Sequence, residues 1–144
     1  MKKIVALSFC LLMAITLWAQ KPVTPTKMVA EIMPQEKLEV YITEKPQKLL
    51  DMNYYSLNYC YVTDQIPENS QVIASLASSV KGEFAYERAQ ILRDKEVNPF
   101  KFSLLQDSNK YNIYTIENSK FVVVVLPLTE YEKGKADYFK QYGY

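Results

Sequence analysis

The sequence predicts a small single domain of the α+β class, with helices packed mainly on one face of a three- to four-stranded antiparallel sheet. The last third of the chain carries three segments typical of strands, separated by short polar turns. One of them, residues 121–126, is apolar at every position, as in a central strand buried on both faces. Segments with the apolar spacing of helices precede and follow this C-terminal meander.

Residues 1–19 are expected to be a secretory signal peptide. Lys2 and Lys3 precede an uncharged apolar run over residues 4–18, and Ala19 supplies a small residue at the expected cleavage site. This run is shorter than the roughly 20 apolar residues that a spanning helix needs. We therefore expect cleavage, no membrane span in the mature chain, and export to the periplasm or the extracellular space.

The mature chain is expected to begin with an extended lead-in over residues 20–33, followed by a single α+β domain over residues 34–144. Pro22 and Pro25 disfavour regular structure in the lead-in, and few of its residues can pack.

Residues 35–43 leave two interpretations open. Leu38, Tyr41 and Ile42 share one face of a helix, whereas Leu38, Val40 and Ile42 also alternate as in a strand.

The next helix is predicted from Thr43, which can cap it, with Pro46 in its first turn. Aromatic and β-branched residues then alternate over residues 57–62, which predicts a strand. Residues 71–93 again leave helix and strand open, although 84–93 favours a helix and residues 72–80 fit a short helix or turn.

The C-terminal third predicts strands at residues 100–104, 111–116 and 121–126, joined as an antiparallel meander. A helix should follow to about residue 141, with Thr129 and Glu132 forming a capping box. One face of this helix is expected to dock on the sheet while its last tyrosines stay partly exposed. The docking residues are Leu128, Tyr131, Tyr138 and Phe139.

Composition excludes several kinds of partner. Removing Lys2 and Lys3 with the signal leaves 15 basic and 16 acidic residues, so the mature net charge is near −1. The sequence has no basic stripe for nucleic acid and no polybasic patch for a membrane surface. An envelope protein or glycan is the expected partner, and the oligomeric state is not defined by the sequence.

Histidine is absent from the chain. This absence removes the commonest general base at neutral pH and the usual nitrogen ligand of zinc. Cys60 is the only cysteine of the mature chain, because Cys10 lies in the signal, and its apolar neighbours predict a buried thiol. We therefore predict no catalytic, cofactor-binding or metal-binding residues, and no cofactor.

An alternative function uses carboxylates. Paired carboxylates hydrolyse glycosidic bonds without histidine, so the chain could be a small histidine-free hydrolase acting on envelope glycan. The acidic residues that could form such a pair lie among lysines and arginines, as expected for a solvated helix face. They are Glu83, Glu87, Asp94, Glu96, Glu130 and Glu132.

Tyrosine is the positive feature of the composition, because all 12 tyrosines lie in the mature part. Tyr138, Tyr142 and Tyr144 crowd the C-terminus with Phe139, and a helical spacing of 3.6 residues distributes these rings over more than one face. Tyrosine is enriched at protein interfaces. We expect Tyr138, Tyr142 and Tyr144 to be candidate partner contacts of a small exported, non-catalytic binding or interaction module of the cell envelope.

Overall fold

Three helices precede two pairs of strands, and one helix follows each pair, in a computed structural model that describes residues 20–80 and 83–144. The helices are α1 (Lys27–Ile32), α2 (Gln35–Glu44), α3 (Pro46–Asn58), α4 (Phe84–Asp94) and α5 (Leu128–Gln141). The strands are β1 (Cys60–Thr63), β2 (Ser70–Ser75), β3 (Tyr111–Thr115) and β4 (Val122–Val125). The fold is therefore α+β, as predicted. The expected signal peptide at residues 1–19 lies outside the described residues.

The four strands form one mixed sheet in the order β1-β4-β3-β2. Strand β4 pairs antiparallel with both of its neighbours, whereas β2 pairs parallel with β3. Val123, Val124 and Val125 have no exposed surface. The prediction of a central strand over residues 121–126 is thus confirmed at Val122–Val125, because this strand is hydrogen-bonded on both sides and buried on both faces.

The predicted meander needs correction. Residues 100–104 do not form a strand: a short 3₁₀ helix occupies Pro99–Lys101, and Phe102 makes only an isolated bridge with Val80. The alternating pattern was real, because Phe102 and Leu104 are buried while Ser103 is exposed. The pattern reflects alternate burial in a segment without regular structure. The strand that pairs with β4 on the side away from β3 is β1.

The two ambiguous segments resolve differently. Residues 35–43 lie in helix α2 and residues 84–93 in helix α4. Residues 70–75 form strand β2, followed by a 3₁₀ helix at Leu76–Ser79, so a helix or turn over residues 72–80 was only partly correct. The helix predicted before β1 extends to Asn58, and the strand begins at Cys60.

Neither predicted helix cap is present. Lys45 occupies the N-cap position of α3, and the Thr43 hydroxyl instead donates to the Glu39 carbonyl at 2.9 Å. Pro127 occupies the N-cap position of α5 without a side-chain bond. The first amides of α5 find partners in a preceding loop, since the Leu128 amide donates to the Asp107 carbonyl at 2.9 Å. Tertiary contacts thus replace the caps that local sequence suggested.

The lead-in is extended only as far as residue 26. Helix α1 follows, and its Val29 has no exposed surface. The buried side chain of Asn53 on α3 holds the extended part, because it accepts from the Thr26 amide at 2.9 Å and donates to the Thr24 carbonyl at 2.7 Å. Residues 20–33 are therefore packed against the domain and contribute to its core.

The core has two main parts. The sheet core lies between one face of the sheet and side chains of α3, α4 and α5, and includes Tyr54, Cys60, Ile91, Tyr114, Val123 and Tyr131. The helical core joins the N-terminal segment to α2 and α3. It consists of Val23, Val29, Met33, Leu38, Leu49 and Leu50, with the C-terminal tyrosines packed against it.

The other face of the sheet buries Ile113, Val122 and Val124, and in the described chain this cluster contains only strand residues. Strand β1 leaves the sheet at Thr63, beside Val122, while β2 begins at the opposite end of the sheet. The connection, residues 64–69, reaches about 20 Å when extended. This connection therefore joins two opposite corners of the sheet.

Candidate functional site

A shallow groove lies between α3 and α5. It consists of two adjoining concavities that share Asp51, Met52 and Lys135. Tyr41 and Phe139 lie in one of them, and Tyr55 and Tyr131 in the other. Helices α3 and α5 therefore run antiparallel along the groove. We call this surface the aromatic groove.

Helical spacing explains which side chains face the groove. Tyr131, Lys135 and Phe139 follow one another at intervals of four residues on α5 and so share one face. On α3, side chains one turn apart line the facing wall of the groove. The loop that contains Phe100 closes the end near Tyr55. These α3 and loop residues are Gln47, Lys48, Asp51, Met52, Tyr55, Pro99, Phe100 and Phe102. Each helix spans about 12 Å along the groove, at 1.5 Å per residue.

An ion pair crosses the middle of the groove. Lys135 Nζ lies 2.9 Å from the Asp51 carboxylate and 3.8 Å from that of Glu132. The hydrogen bond to Asp51 is the main cause that raises the pKa of Lys135, with partial burial acting in the opposite direction. The middle of the groove is thus polar and charge-balanced, while both of its ends are aromatic.

The aromatic residues form a continuous chain through the molecule. Neighbouring ring centroids are separated by 4.4 to 5.9 Å in tilted or edge-on arrangements, which are favourable for aromatic pairs. The order of the rings is Phe100, Tyr55, Tyr59, Tyr131, Tyr54, Tyr138 and Tyr142. Three of these rings line the groove, so its walls belong to a packed network.

Buried hydroxyl groups fix this network in place. Tyr54 donates to the Tyr131 carbonyl at 3.1 Å, and Tyr59 donates to the Leu104 carbonyl at 2.9 Å. Burial raises the pKa of Tyr55 to about 12 and also raises that of Tyr59 and Tyr131. These hydroxyls remain neutral at physiological pH and can donate hydrogen bonds.

Tyr54 reaches α5 because residue 134 is glycine. A Cβ atom at Gly134 would collide with the Tyr54 hydroxyl. The glycine therefore permits the close approach of the Tyr54 ring to α5.

The structure places the predicted contact residues Tyr138, Tyr142 and Tyr144 beside the groove rather than in it. All three are half-buried and pack against the helical core, and the Tyr142 carbonyl accepts from the Lys21 amide at 3.1 Å. Tyr142 and Tyr144 keep part of their surface in solvent. Their contact with a partner stays a prediction.

The expected docking face of α5 is corrected in two positions. Tyr131 is buried in the sheet core as predicted, whereas Leu128 is 42% exposed. Phe139 packs against the helical core instead of the sheet. The C-terminal half of α5 therefore packs mainly against the helical core.

Sequence reasoning missed most of the groove, including Tyr41, Asp51, Met52 and Phe100. The sequence feature that could have indicated the groove is the spacing of Tyr131, Lys135 and Phe139, which places them on one face of α5. No pattern in the sequence connects Asp51 with Lys135, because their contact depends on how α3 packs against α5.

A second, narrower cleft carries the carboxylates relevant to the alternative function. Lys101 Nζ lies 3.8 Å from the Glu31 carboxylate and 3.5 Å from that of Glu87. Asp94 and Glu96 line the same cleft, and Asp94 is bound to Arg93 at 2.8 Å. The Lys101 ammonium lies between Glu31 and Glu87, so both carboxyls have charged and polar neighbours rather than the apolar surroundings of a proton-donating acid.

The other candidate carboxylates are dispersed. Both oxygens of Glu130 accept from the Tyr111 hydroxyl at 2.6 Å, Glu132 lies beside Lys135, and Glu83 is exposed. Within residues 20–80 and 83–144, no three acidic, cysteine or histidine side chains are grouped as metal ligands would be. In the same residues, no helix has the length and apolar character needed to cross a membrane.

Comparison of the chain with protein-family models, with curated proteins and with solved structures finds no match.

Proposed function

We propose that the mature chain is a small exported, non-catalytic binding module of the cell envelope, and that its ligand lies in the aromatic groove. The observation that supports this proposal is the combination of aromatic ends with a charge-balanced Asp51–Lys135 pair at the centre of one groove.

Such a groove suits a neutral or weakly charged ligand. Aromatic rings held by their own packing offer apolar area at little cost in conformational entropy. The paired side chains of Asp51 and Lys135 retain free donor and acceptor capacity for polar groups of the ligand. An extended segment of an envelope protein or of a cell-wall glycan meets these requirements.

The hydrolase is the less favoured alternative. In the described chain, the cleft around Lys101 brings several carboxylates together, and there they form ion pairs. Glycoside hydrolysis needs one carboxyl to keep its proton near neutral pH. The site around Glu31 and Glu87 lacks the apolar environment that would favour this.

The binding proposal is tested by capture. The mature protein is immobilised and offered detergent-solubilised envelope proteins in one experiment and purified cell-wall glycan in another. Tyr41→Ala and Phe100→Ala remove rings from opposite ends of the groove, and each should weaken capture about tenfold or more, as expected for aromatic anchors. Tyr86→Ala is the matched control, because Tyr86 is 63% exposed on α4 outside the groove.

Capture that survives both groove substitutions would contradict the assignment of the ligand to the groove. Retention of neither fraction by the wild-type protein would contradict a binding function. Release of reducing sugars from the glycan, lost in Glu87→Gln, would favour the hydrolase.

The C-terminal tyrosines are a second candidate contact of the same module, supported by the partial exposure of Tyr142 and Tyr144. Deletion of residues 142–144 tests the contribution of the C-terminal tyrosines independently of the aromatic groove. Lost capture with an unchanged melting temperature would assign the contact to these tyrosines, whereas lost stability with retained capture would assign them to the core.

Export is also part of the proposal. Mass spectrometry of the protein recovered from the envelope or the medium should find a chain that begins near Gln20. Full-length protein confined to the cytoplasm would contradict it.

A further inference from the structure

Strand β2 (Ser70–Ser75) is an edge of the sheet, with β3 on its only paired side. Among residues 20–80 and 83–144, its backbone bonds only to β3 and, at the Ser75 carbonyl, to the Ser78 hydroxyl. Within these residues, the other amides and carbonyls on its outer side have no backbone partner and can pair with another strand.

Features that usually protect such an edge are scarce in β2. The strand contains no charged residue and no proline, and its centre is the β-branched pair Val72 and Ile73. Val72 is 64% exposed, so most of this apolar side chain is in solvent. The one protective feature is an irregularity of the ladder between Val72 and Ala74, which limits the regular part of the edge.

Val72 also ends an apolar row that crosses the sheet. Tyr61, Val124 and Ile113 lie side by side on successive strands, and Ile113 pairs with Val72. Val124 and Ile113 have no exposed surface, so the row is buried at its centre and exposed only towards its ends. A strand added at the β2 edge would continue this row.

We propose that the β2 edge pairs antiparallel with β2 of a second copy of this chain, forming an eight-stranded sheet around a two-fold axis at Val72. A second copy suits this edge because it brings the same uncharged residues, so no like charges meet within the paired strands. Parallel self-pairing would place the two Glu68 side chains, which precede the strand, next to each other. The antiparallel arrangement separates them.

The register follows from burial. A two-fold axis at Val72 sets this residue opposite its own copy on the same face of the sheet, with Ser70 opposite Ala74 of the partner subunit. Because the regular part of the edge is short, the dimer should dissociate on dilution. This inference does not depend on the aromatic groove, which is built from other elements.

The first test is the mass of the mature protein by analytical ultracentrifugation in a concentration series up to about 1 mM. The wild type should shift from monomer to dimer, and Val72→Lys should remain monomeric because it places like charges opposite each other. Leu57→Lys is the matched control: it adds the same charge at a 54% exposed leucine outside the sheet and should dimerise like the wild type. A wild type that stays monomeric throughout, or a Val72→Lys variant that still dimerises, would overturn the proposal.

The second test reports the register and does not depend on the fold of the lysine variant. Val72→Cys should form a disulfide-linked dimer under mild oxidation, because directly opposed residues have Cα atoms about 4.5–5.5 Å apart. Cys60 is buried and gives little background, and Leu57→Cys should not cross-link at the same rate. Equal cross-linking of the two variants would contradict the register. Amide exchange of residues 70–75 should slow at high protein concentration as the dimer forms. Slowing that appears only after addition of other envelope proteins would assign the edge to a different partner.

Discussion

Cys60 shows how burial decides the chemistry of a single residue. It begins β1, pairs with Val125, and is 7% exposed within the sheet core. Burial raises the pKa of its thiol well above the usual range, so the reactive thiolate is scarce at neutral pH. The sequence predicted this buried thiol from the apolar neighbours of Cys60, and the structure confirms it.

Cys60 should therefore react slowly with a bulky thiol reagent in the native protein and rapidly after denaturation. Cys60→Ala should leave ligand capture unchanged and lower stability modestly, since it removes one buried sulfur atom. The measurement is labelling followed by mass spectrometry. Rapid labelling of the native protein, or a Cys60-linked dimer on a non-reducing gel, would show that the thiol is accessible.

Tyr111 gives a residue-level prediction about pH. Its hydroxyl donates to Glu130, and this bond, more than burial, raises the pKa of Tyr111 from 10.0 to about 12. Because the folded state favours the neutral hydroxyl, the bond contributes its full stability below pH 10 and loses it as the pH rises towards about 12. Burial of Tyr55 acts in the same direction over the same range.

The free energy of unfolding, measured by urea titration at several pH values, should fall between about pH 10 and 12. Tyr111→Phe should lose part of this pH dependence, whereas Tyr86→Phe, which removes an exposed hydroxyl, should keep the wild-type profile. An unchanged slope in Tyr111→Phe would mean that its bond to Glu130 does not form in solution.

At the scale of elements, the sequence predicted burial better than it predicted hydrogen bonding. The apolar run at Val122–Val125 and the helices α3, α4 and α5 are present near their expected positions. Residues 100–104 show the limit, since alternate burial of Phe102 and Leu104 imitates a strand that has no partner to pair with. Thr43 and Thr129 show the same limit for caps: neither side chain caps a helix, and the first amides of α5 bond to the carbonyls of Asp107 and Ser108 instead.

Gly134 provides a prediction for the contact between α3 and α5. An alanine in the middle of a helix usually stabilises by about 1 kcal/mol relative to glycine. Here Gly134→Ala should instead destabilise by about 1–3 kcal/mol, because its Cβ displaces the Tyr54 hydroxyl from the Tyr131 carbonyl. Chemical denaturation measures the change.

The double variant Tyr54→Phe/Gly134→Ala is the control for this mechanism. Removing the hydroxyl relieves the collision, so the alanine should cost less in the Tyr54→Phe background than in the wild type. Equal costs in the two backgrounds would mean that Tyr54 does not limit the approach of the helices.

At the scale of the whole molecule, the sheet order and the aromatic groove lay beyond sequence reasoning. The pairing of Cys60 with Val125 joins residues that are 65 positions apart, and no local pattern encodes it. The parallel pairing of β2 with β3 is not encoded by a local pattern either. It requires that the segment containing α4 return the chain to the end of the sheet where β2 begins. Asp51 and Lys135 meet only after α3 and α5 have packed together.

The central position of β4 makes it the most sensitive part of the fold. Val123→Asp or Val124→Asp would bury an unpaired carboxylate and should cost several kcal/mol, comparable to the total stability of about 5–15 kcal/mol of a typical domain. Leu57→Asp, at an exposed position on α3, should leave the melting temperature within a few degrees of the wild type. Similar melting temperatures for all three variants would be incompatible with this sheet order.

The position of β4 also sets the order in which the chain can fold. It is the last strand in sequence but joins β1 to β3, so the sheet lacks its middle until residue 125 is available. A chain that passes through a membrane pore from its N-terminus would release β1, β2 and β3 first and keep the strand that unites them until nearly the end. The long-range pairing of β1 with β4 is expected to delay folding of the sheet. If the chain is exported as proposed, this delay would favour the unfolded state that passage through a narrow pore requires.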